Sequence, residues 1–160
     1  MLKRTLISAS LLFAMLFSLV SCSDRVFSHA ELCITLPSGF SEEESESYDL
    51  VMRDGEVSVA VLRISLYAAS ESGIPDNLSP YAFAEYTSED RGREGEIFTY
   101  RDIPYFSDYT ENSGRKFYTL YTFYRSKNAY FIVLFSSLRS AESEMREKFF
   151  EYADTVSFTD

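Results

Sequence analysis

The sequence predicts an α+β domain in which helices cover an antiparallel β-sheet of about six strands. Three observations predict this class. Turn-forming residues recur at short intervals, the runs between them are rich in β-branched and aromatic residues, and two other segments have helix signals at their ends. Short turns join neighbouring strands in antiparallel fashion, because a parallel pair needs a long crossover connection.

The first part of the domain is predicted to contain strands separated by turns. Leu32–Leu36 is apolar enough for a strand, and Pro37-Ser38-Gly39 ends it. The glutamates within residues 42–46 predict an exposed loop, since like charges repel each other. Asp54-Gly55 lies between two β-rich runs and predicts a hairpin in which both turn residues have positive φ. The second run, residues 56–66, is apolar on both faces and is predicted to be covered on each side.

A helix is predicted over residues 80–90. Ser79 offers an N-cap oxygen, and Pro80 suits the first helical position because its missing N–H would have no helical partner there. Gly92 marks the predicted end of this helix. The preceding residues 68–77 are polar and are predicted to form a loop.

A second helix is predicted over residues 141–153, with Ser140 as its cap. Met145, Phe149 and Tyr152 recur at helical spacing and form one apolar stripe. Residues 155–158 are predicted to add a short final strand.

Four strands are predicted between the helices, at residues 96–100, 104–110, 116–125 and 129–136. In the third of them Tyr118, Leu120 and Tyr124 alternate with Tyr121 and Phe123, and the fourth alternates in the same way. Because both faces of these strands are apolar, each face needs a covering layer, which predicts an α/β/α sandwich. The alternative is a cystatin-like or NTF2-like curved sheet that packs on helices from one side.

The chain begins with a charged and then an apolar segment. Lys3 and Arg4 precede the apolar residues 6–20, whose helical length of ~22 Å is short of the ~30 Å hydrocarbon core of a bilayer. Leu19-Val20-Ser21-Cys22 then resembles the bacterial lipobox, in which diacylglyceryl is added to the cysteine before cleavage. The resemblance implies a signal peptide over 1–21 and palmitate-type acyl chains on Cys22.

Three segments are therefore expected: the signal peptide, a lipid-anchored tether over residues 22–30, and one globular domain over residues 31–160. The resemblance implies a place at the outer face of the cytoplasmic membrane, or at the outer membrane if the host has two. Membrane contact is expected through the acyl chains on Cys22, since two or three chains together anchor a protein stably.

The charge of the chain excludes some partners. The net charge is −10, and removing residues 1–21 takes away Lys3 and Arg4 but no acidic residue, which leaves −12. So acidic a surface repels phosphate backbones, and we expect no nucleic acid partner. If Cys22 is acylated, Cys33 has no cysteine partner and is predicted to be a buried, inert thiol.

Residue patterns for catalysis and metal binding are missing from the sequence. His29 is the single histidine and lies in the predicted tether, so neither a zinc site nor a Ser–His–Asp triad is expected. The glutamate run lacks the alternating ligands and glycine of a calcium loop. We expect no cofactor, no metal and no catalytic residue, and predict that the protein is not an enzyme.

Tyrosines concentrate in the predicted meander and form the candidate binding face. A tyrosine combines a large apolar ring with a hydroxyl group, which suits binding surfaces. The alternative is that these rings fill the core. The candidate residues are Tyr105, Tyr109, Tyr118, Tyr121 and Tyr124.

The order of elements resembles the Mog1/PsbP-like group. The resemblance rests on Leu36-Pro37-Ser38-Gly39-Phe40, a helix begun by Ser-Pro-Tyr, a tyrosine-rich strand pair and a closing Glu-Lys-Phe-Phe-Glu-Tyr-Ala helix. It spans about residues 31–158 and implies binding or assembly. We expect a non-catalytic interaction module whose partner is an unknown envelope protein. The alternatives are a small-ligand or glycan-binding lipoprotein that uses the tyrosine-rich face, and a hydrolase of cell-wall material.

Overall fold

The computed structural model describes residues 24–93 and 95–159. These residues form ten strands, three α-helices and one 3₁₀ helix, at Arg139–Ala141. The strands are β1 (Arg25–His29), β2 (Leu32–Leu36), β3 (Ser41–Glu43), β4 (Leu50–Asp54), β5 (Val57–Ser65), β6 (Phe98–Tyr100), β7 (Ile103–Asn112), β8 (Arg115–Arg125), β9 (Ala129–Leu138) and β10 (Ser157–Phe158). The helices are α1 (Leu66–Glu71), α2 (Pro80–Asp90) and α3 (Glu142–Asp154).

The strands form two antiparallel sheets. The larger has seven strands in the order β3-β4-β5-β9-β8-β7-β6, and the smaller has three in the order β1-β2-β10. The antiparallel α+β class is therefore confirmed, with one difference in detail. The strand Leu32–Leu36 does not join the main sheet, because it pairs with β1 on one side and with β10 on the other.

Both faces of the seven-stranded sheet are covered. On one face Tyr118, Leu120 and Tyr124 pack against α3 and the three-stranded sheet. On the other face Tyr121 and Phe123 pack against α1 and α2. The alternation that predicted two covering layers is confirmed, and a sheet covered from one side does not describe this protein.

Two hairpin turns show how the strands of the large sheet reverse. Ser113 and Gly114, between β7 and β8, both have positive φ, as a two-residue type I′ turn requires. Between β4 and β5 the predicted hairpin forms, but the register places Gly55 and Glu56 at the turn. Of those two only Gly55 has positive φ, at 57°, so the expectation for Asp54 was wrong: Asp54 is the last paired residue of β4.

The helices match the prediction in part. Helix α2 spans the predicted residues, and the Ser79 side chain accepts a hydrogen bond from the Ala82 amide. Helix α1 lies where a loop was expected, and Ser65 caps it. Helix α3 begins at Glu142 after a 3₁₀ turn, and its cap residue makes no side-chain hydrogen bond, so Ser140 is not the cap.

The boundary between tether and domain also differs from the prediction. Residues 22–30 were assigned to a tether, but Arg25–His29 is strand β1 and pairs along its whole length with β2. Phe27 from this strand is buried in the core. The fold therefore begins within three residues of Cys22, while Cys22 and the predicted signal peptide lie outside the described residues.

Candidate binding surfaces

The five tyrosines of the candidate binding face do not lie together. Tyr118 and Tyr124 are buried beneath α3 and the small sheet, whereas Tyr121 is buried on the opposite face of the large sheet. Period-two alternation separates them, because positions 118 and 124 point to one face and position 121 to the other. The structure thus divides this set between the two cores and does not form one surface from it.

Tyr105 and Tyr109 are the two members of the set that retain exposure. Tyr109 is 51% exposed, and its hydroxyl donates to the Glu142 carboxylate at 3.0 Å. The Arg139 guanidinium lies 4.4 Å from the centre of the Tyr109 ring. The hydrogen bond to Glu142 raises the pKa of the Tyr109 hydroxyl, which stays a neutral donor.

Tyr105 belongs to a second group of aromatic rings, which we call the aromatic edge. The Phe150 ring, from α3, stacks on Tyr100 at 4.5 Å and meets Tyr105 edge-on at 4.8 Å. Phe98 lies 5.7 Å from Tyr105 on the neighbouring strand and is 47% exposed. The aromatic edge consists of Phe98, Tyr100, Tyr105 and Phe150.

The aromatic edge lies at the border of the large sheet. Strand β6, which contributes Phe98 and Tyr100, is the outermost strand and pairs only with β7 among the described strands. Arg101 follows directly, lies over the Tyr100 ring at 5.4 Å and forms an ion pair with Asp154. Partly exposed rings next to an arginine and an open strand edge are features of surfaces that bind other proteins.

Helix α3 lies between the first described residue and the aromatic edge. Asp24 borders a small cavity together with Lys148 and Tyr152 of α3. Phe150, which belongs to the aromatic edge, lies on another side of the same helix, because it is two positions from both of these residues.

A groove opens on the other face of the large sheet, beyond the part that α1 and α2 cover. We call it the sheet groove. Its volume is about 410 Å³, within the range of roughly 300–1,000 Å³ that is usual for small-molecule sites. The residues that line it include Glu43, Glu44, Tyr48, Arg53, Ser58, Ala60, Thr119, Tyr121, Leu134 and Ser136.

Hydroxyl groups form a row across the floor of the sheet groove. Ser58 of β5 is directly opposite Ser136 of β9, and Ser136 is directly opposite Thr119 of β8. The Thr119 and Ser136 hydroxyl oxygens are 3.0 Å apart. The same register places Arg53 at one end of the row and Asp108 at the other. We call these five residues the polar row.

The rim of the sheet groove comes from the segment between β3 and β4. The Ser45 hydroxyl accepts hydrogen bonds from the amides of Ser47 and Tyr48, both at 3.2 Å, and so fixes the turn that presents the Tyr48 ring. Tyr48 is 38% exposed. The Arg53 guanidinium forms an ion pair with Glu43 at 2.9 Å on the same rim.

The glutamates of residues 42–46 also border a wider cavity of about 650 Å³. His29 borders it, and its Nε2 atom is 3.9 Å from an Asp49 oxygen. Within residues 24–93 and 95–159, no group of three or more His, Cys, Asp or Glu side chains is arranged to hold a metal ion.

Cys33 is half-buried instead of buried, because it alternates with Leu32 and Ile34 and faces away from the core.

None of the helices in the described part of the chain combines the length and the apolar character that crossing a membrane requires.

Sequence reasoning missed both the sheet groove and most of the aromatic edge. A signal for the groove exists in three strands, where large apolar residues give way to small or polar ones toward the same end. The faces run from Leu62 through Ala60 to Ser58 in β5, from Ile132 through Leu134 to Ser136 in β9, and from Phe123 through Tyr121 to Thr119 in β8. Only the register between strands shows that these changes coincide.

No protein-family model and no curated protein matches the sequence. A crystal structure from Bacteroides thetaiotaomicron VPI-5482 is similar in fold, with a TM-score of 0.60 at 10% identity over 85% of this chain. The match takes in 48% of that protein, so this chain spans about half its length.

Two further solved structures have lower scores. The solution structure of cyanobacterial PsbP (CyanoP) from Synechocystis sp. PCC 6803 has a TM-score of 0.49 at 13% identity, over 88% of this chain and 95% of that one. The crystal structure of LpqN, involved in cell envelope biogenesis of Mycobacterium tuberculosis, has a TM-score of 0.48 at 7% identity, over 86% and 91%. A PsbP protein is thus among the structural neighbours. At such low sequence identity the similarity concerns the fold alone.

Proposed function

We propose that this protein is a lipid-anchored, non-catalytic binding module of the cell envelope, which holds a partner protein at the membrane surface through the aromatic edge. The observation on which the proposal depends is the packed cluster of the exposed Phe98 ring with the partly exposed rings of Tyr100, Tyr105 and Phe150, beside an open strand.

The N-terminal sequence supports the proposed place of the module. The segment Leu19-Val20-Ser21-Cys22 resembles a lipobox, and β1 begins at Arg25. Three residues of extended chain span at most about 10 Å, so acyl chains on Cys22 would hold the folded domain against the bilayer. A partner of such a module is a membrane protein or another protein held at the same surface.

The chemistry of the aromatic edge supports a protein as the proposed partner. Interface cores are enriched in Tyr, Phe and Arg, and aromatic anchors contribute most of the binding energy. The rings of the aromatic edge already pack against one another, so binding would immobilise few additional rotamers. The apolar surface of a partner protein matches these properties better than a charged polymer does.

Lipid attachment and partner binding can be tested separately. We expect mass spectrometry of the protein from its native host to show a chain that begins at an acylated Cys22. Cys22→Ser should abolish the acylation and leave residues 1–21 attached to the chain, because cleavage follows lipid addition. An unmodified Cys22 thiol on a secreted chain would contradict the anchor.

Partner binding is tested with a photo-crosslinking residue in intact cells. Replacement of Phe98 by p-benzoylphenylalanine should yield one reproducible protein adduct, and Phe150→Ala in the same chain should reduce that adduct. The matched control places the crosslinker at Tyr67, which is 74% exposed on α1. Adducts that are equal at positions 67 and 98, or that persist unchanged with Phe150→Ala, would contradict the proposed interface.

A further inference from the structure

We infer that the sheet groove is a binding site for a neutral oligosaccharide. This inference does not depend on the lipid anchor or on the aromatic edge, because the groove lies on the opposite face of the seven-stranded sheet. It depends on the polar row, on the apolar residues beside the row, on the Tyr48 ring and on the charge of the lining.

The polar row offers hydrogen-bonding groups of the type that a sugar needs. The Ser58 hydroxyl can donate one hydrogen bond and accept others. The Ser136 and Thr119 hydroxyls bond to each other at 3.0 Å, which uses one of their two protons and leaves further lone pairs as acceptors. Neighbouring strands lie about 4.8 Å apart, so five strands give a row of roughly 19 Å. A linear ligand with hydroxyl groups at regular intervals could meet this row at several points.

The floor beside the polar row is apolar. The next positions toward the helices are Ala60, Leu134 and Tyr121, which are directly opposite one another across β5, β9 and β8. A sugar ring has hydroxyls at its edge and C–H groups on its faces. A floor on which a polar row borders an apolar row therefore matches the two parts of a pyranose.

The Tyr48 ring provides an aromatic wall. The face of an aromatic ring has partial negative charge, which attracts polarised C–H groups such as those of a sugar. Tyr48 is exposed and held by the Ser45 turn, so its face is available. Tyr121 contributes less of its surface, because Phe106 stacks on it at 4.8 Å and Arg91 lies over it at 4.8 Å.

The charge of the groove disfavours an anionic ligand. Among the described residues that line the groove, Arg53 is the one cation, and Glu43 neutralises it at 2.9 Å. Glu44 adds a further carboxylate to the rim. Carboxylates accept hydrogen bonds from sugar hydroxyls, whereas they repel phosphate and sulfate groups. A neutral oligosaccharide satisfies both the hydroxyl row and this rim.

The test is an NMR titration of the isotope-labelled full-length chain, purified from membranes in a zwitterionic detergent. The probes are cellotetraose, maltotetraose and the tetrasaccharide of N-acetylglucosamine, with tetra-arginine as a cationic competitor. We expect at least one tetrasaccharide to shift the amide signals of Ser58, Thr119 and Ser136. Tyr48→Ala and Thr119→Val should each weaken that binding by about two- to tenfold.

The controls separate binding from folding. Tyr67→Ala and Thr99→Val remove the same groups from surface positions outside the groove, and should leave the affinity unchanged. Tyr48 is on an exposed rim, so its variant keeps the fold even if Thr119→Val does not. The inference is overturned if no tetrasaccharide shifts these amides at millimolar concentration, if only tetra-arginine does, or if Tyr48→Ala binds as tightly as the unchanged chain.

Discussion

Glu31 and Arg63 join the two sheets of this protein. The Arg63 Nε atom is 3.1 Å from a Glu31 oxygen, and the pair links the β1–β2 turn to the middle of the large sheet. Ser126, in the β8–β9 turn, donates a hydrogen bond from its hydroxyl to the same carboxylate at 2.8 Å. The Glu31 backbone carbonyl also accepts from the Thr159 amide at 2.8 Å, beyond β10. One residue thus connects four separate segments.

The Glu31 carboxylate should make stability depend on pH. Burial acts to raise its pKa, but the hydrogen bonds from Ser126 and Arg63 outweigh burial and lower the pKa below the ordinary 4.5. A lowered folded-state pKa means that the ionised group stabilises the fold above about pH 4.5 and loses this contribution as the pH falls through the folded value. Glu31→Gln should therefore reduce the free energy of unfolding by about 1 kcal/mol at neutral pH.

Urea unfolding of Glu31→Gln and of the unchanged chain at several pH values measures this effect. The difference between the two should shrink below pH 4.5. Glu144→Gln is a matched control: its hydrogen bond from Lys148 also lowers the pKa of Glu144, but the side chain is 70% exposed and the pair lies on one helix, so the change in stability should be clearly smaller than that of Glu31→Gln. An equal difference at pH 7 and pH 3 would show that the Glu31 charge does not stabilise the fold.

Phe149 should be the most costly residue of α3 to truncate. Its ring is fully buried, with the ring centres of Phe135 and Tyr118 at 5.7 and 6.2 Å. Phe149→Ala should lower the free energy of unfolding by about 3–5 kcal/mol, because it removes apolar contacts and leaves a cavity. Chemical denaturation measures the loss. Phe150→Ala, one position along and half-buried, should cost clearly less, and equal costs would contradict this account of the core.

Several elements of the fold could be predicted because their signals are local. Alternation in β8 and β9 indicated a sheet covered on both faces, and Ser79-Pro80 located the start of α2. The three-stranded sheet could not be predicted in the same way, since β2 pairs with residues more than 120 positions away. Short strands such as β10 form because a partner is present, and their own sequence indicates little.

The candidate site was harder to predict than the fold for a related reason. Each tyrosine of the meander was equally suited to a core or to a surface. Alternation alone places Tyr121 on one face of β8 and Tyr118 and Tyr124 on the other. The layers that cover the sheet decide which face stays open. The hydroxyls of Ser58, Ser136 and Thr119 are unremarkable in sequence, and they form a row only through the register of three strands.

Gly55 should be hard to replace for conformational reasons alone. Its φ is +57°, and an added Cβ would meet no atom within 4 Å, so a substitution there creates strain without a clash. Gly55→Ala should therefore destabilise the fold by about 1–2 kcal/mol, and Gly55→Asn, which tolerates this conformation better, by less. Thermal unfolding of both variants measures the order. Equal stability of all three chains would contradict the turn geometry.

The Tyr124 hydroxyl should fasten the end of α3 to the sheet. It is buried and donates to the Ala153 carbonyl at 2.9 Å, and burial raises the pKa of this phenol, so it stays a donor. Tyr124→Phe should cost about 1 kcal/mol, the net value of one hydrogen bond, because the Val156 amide still donates to the same carbonyl. The loss should be concentrated locally: hydrogen exchange should accelerate in α3 near Ala153 and in β10, but not in β9. The matched control is Tyr67→Phe, whose hydroxyl donates to Glu71 on the surface, and it should change neither quantity. Unchanged exchange in β10 would mean that its pairing with β2 holds the C-terminal segment without help from Tyr124.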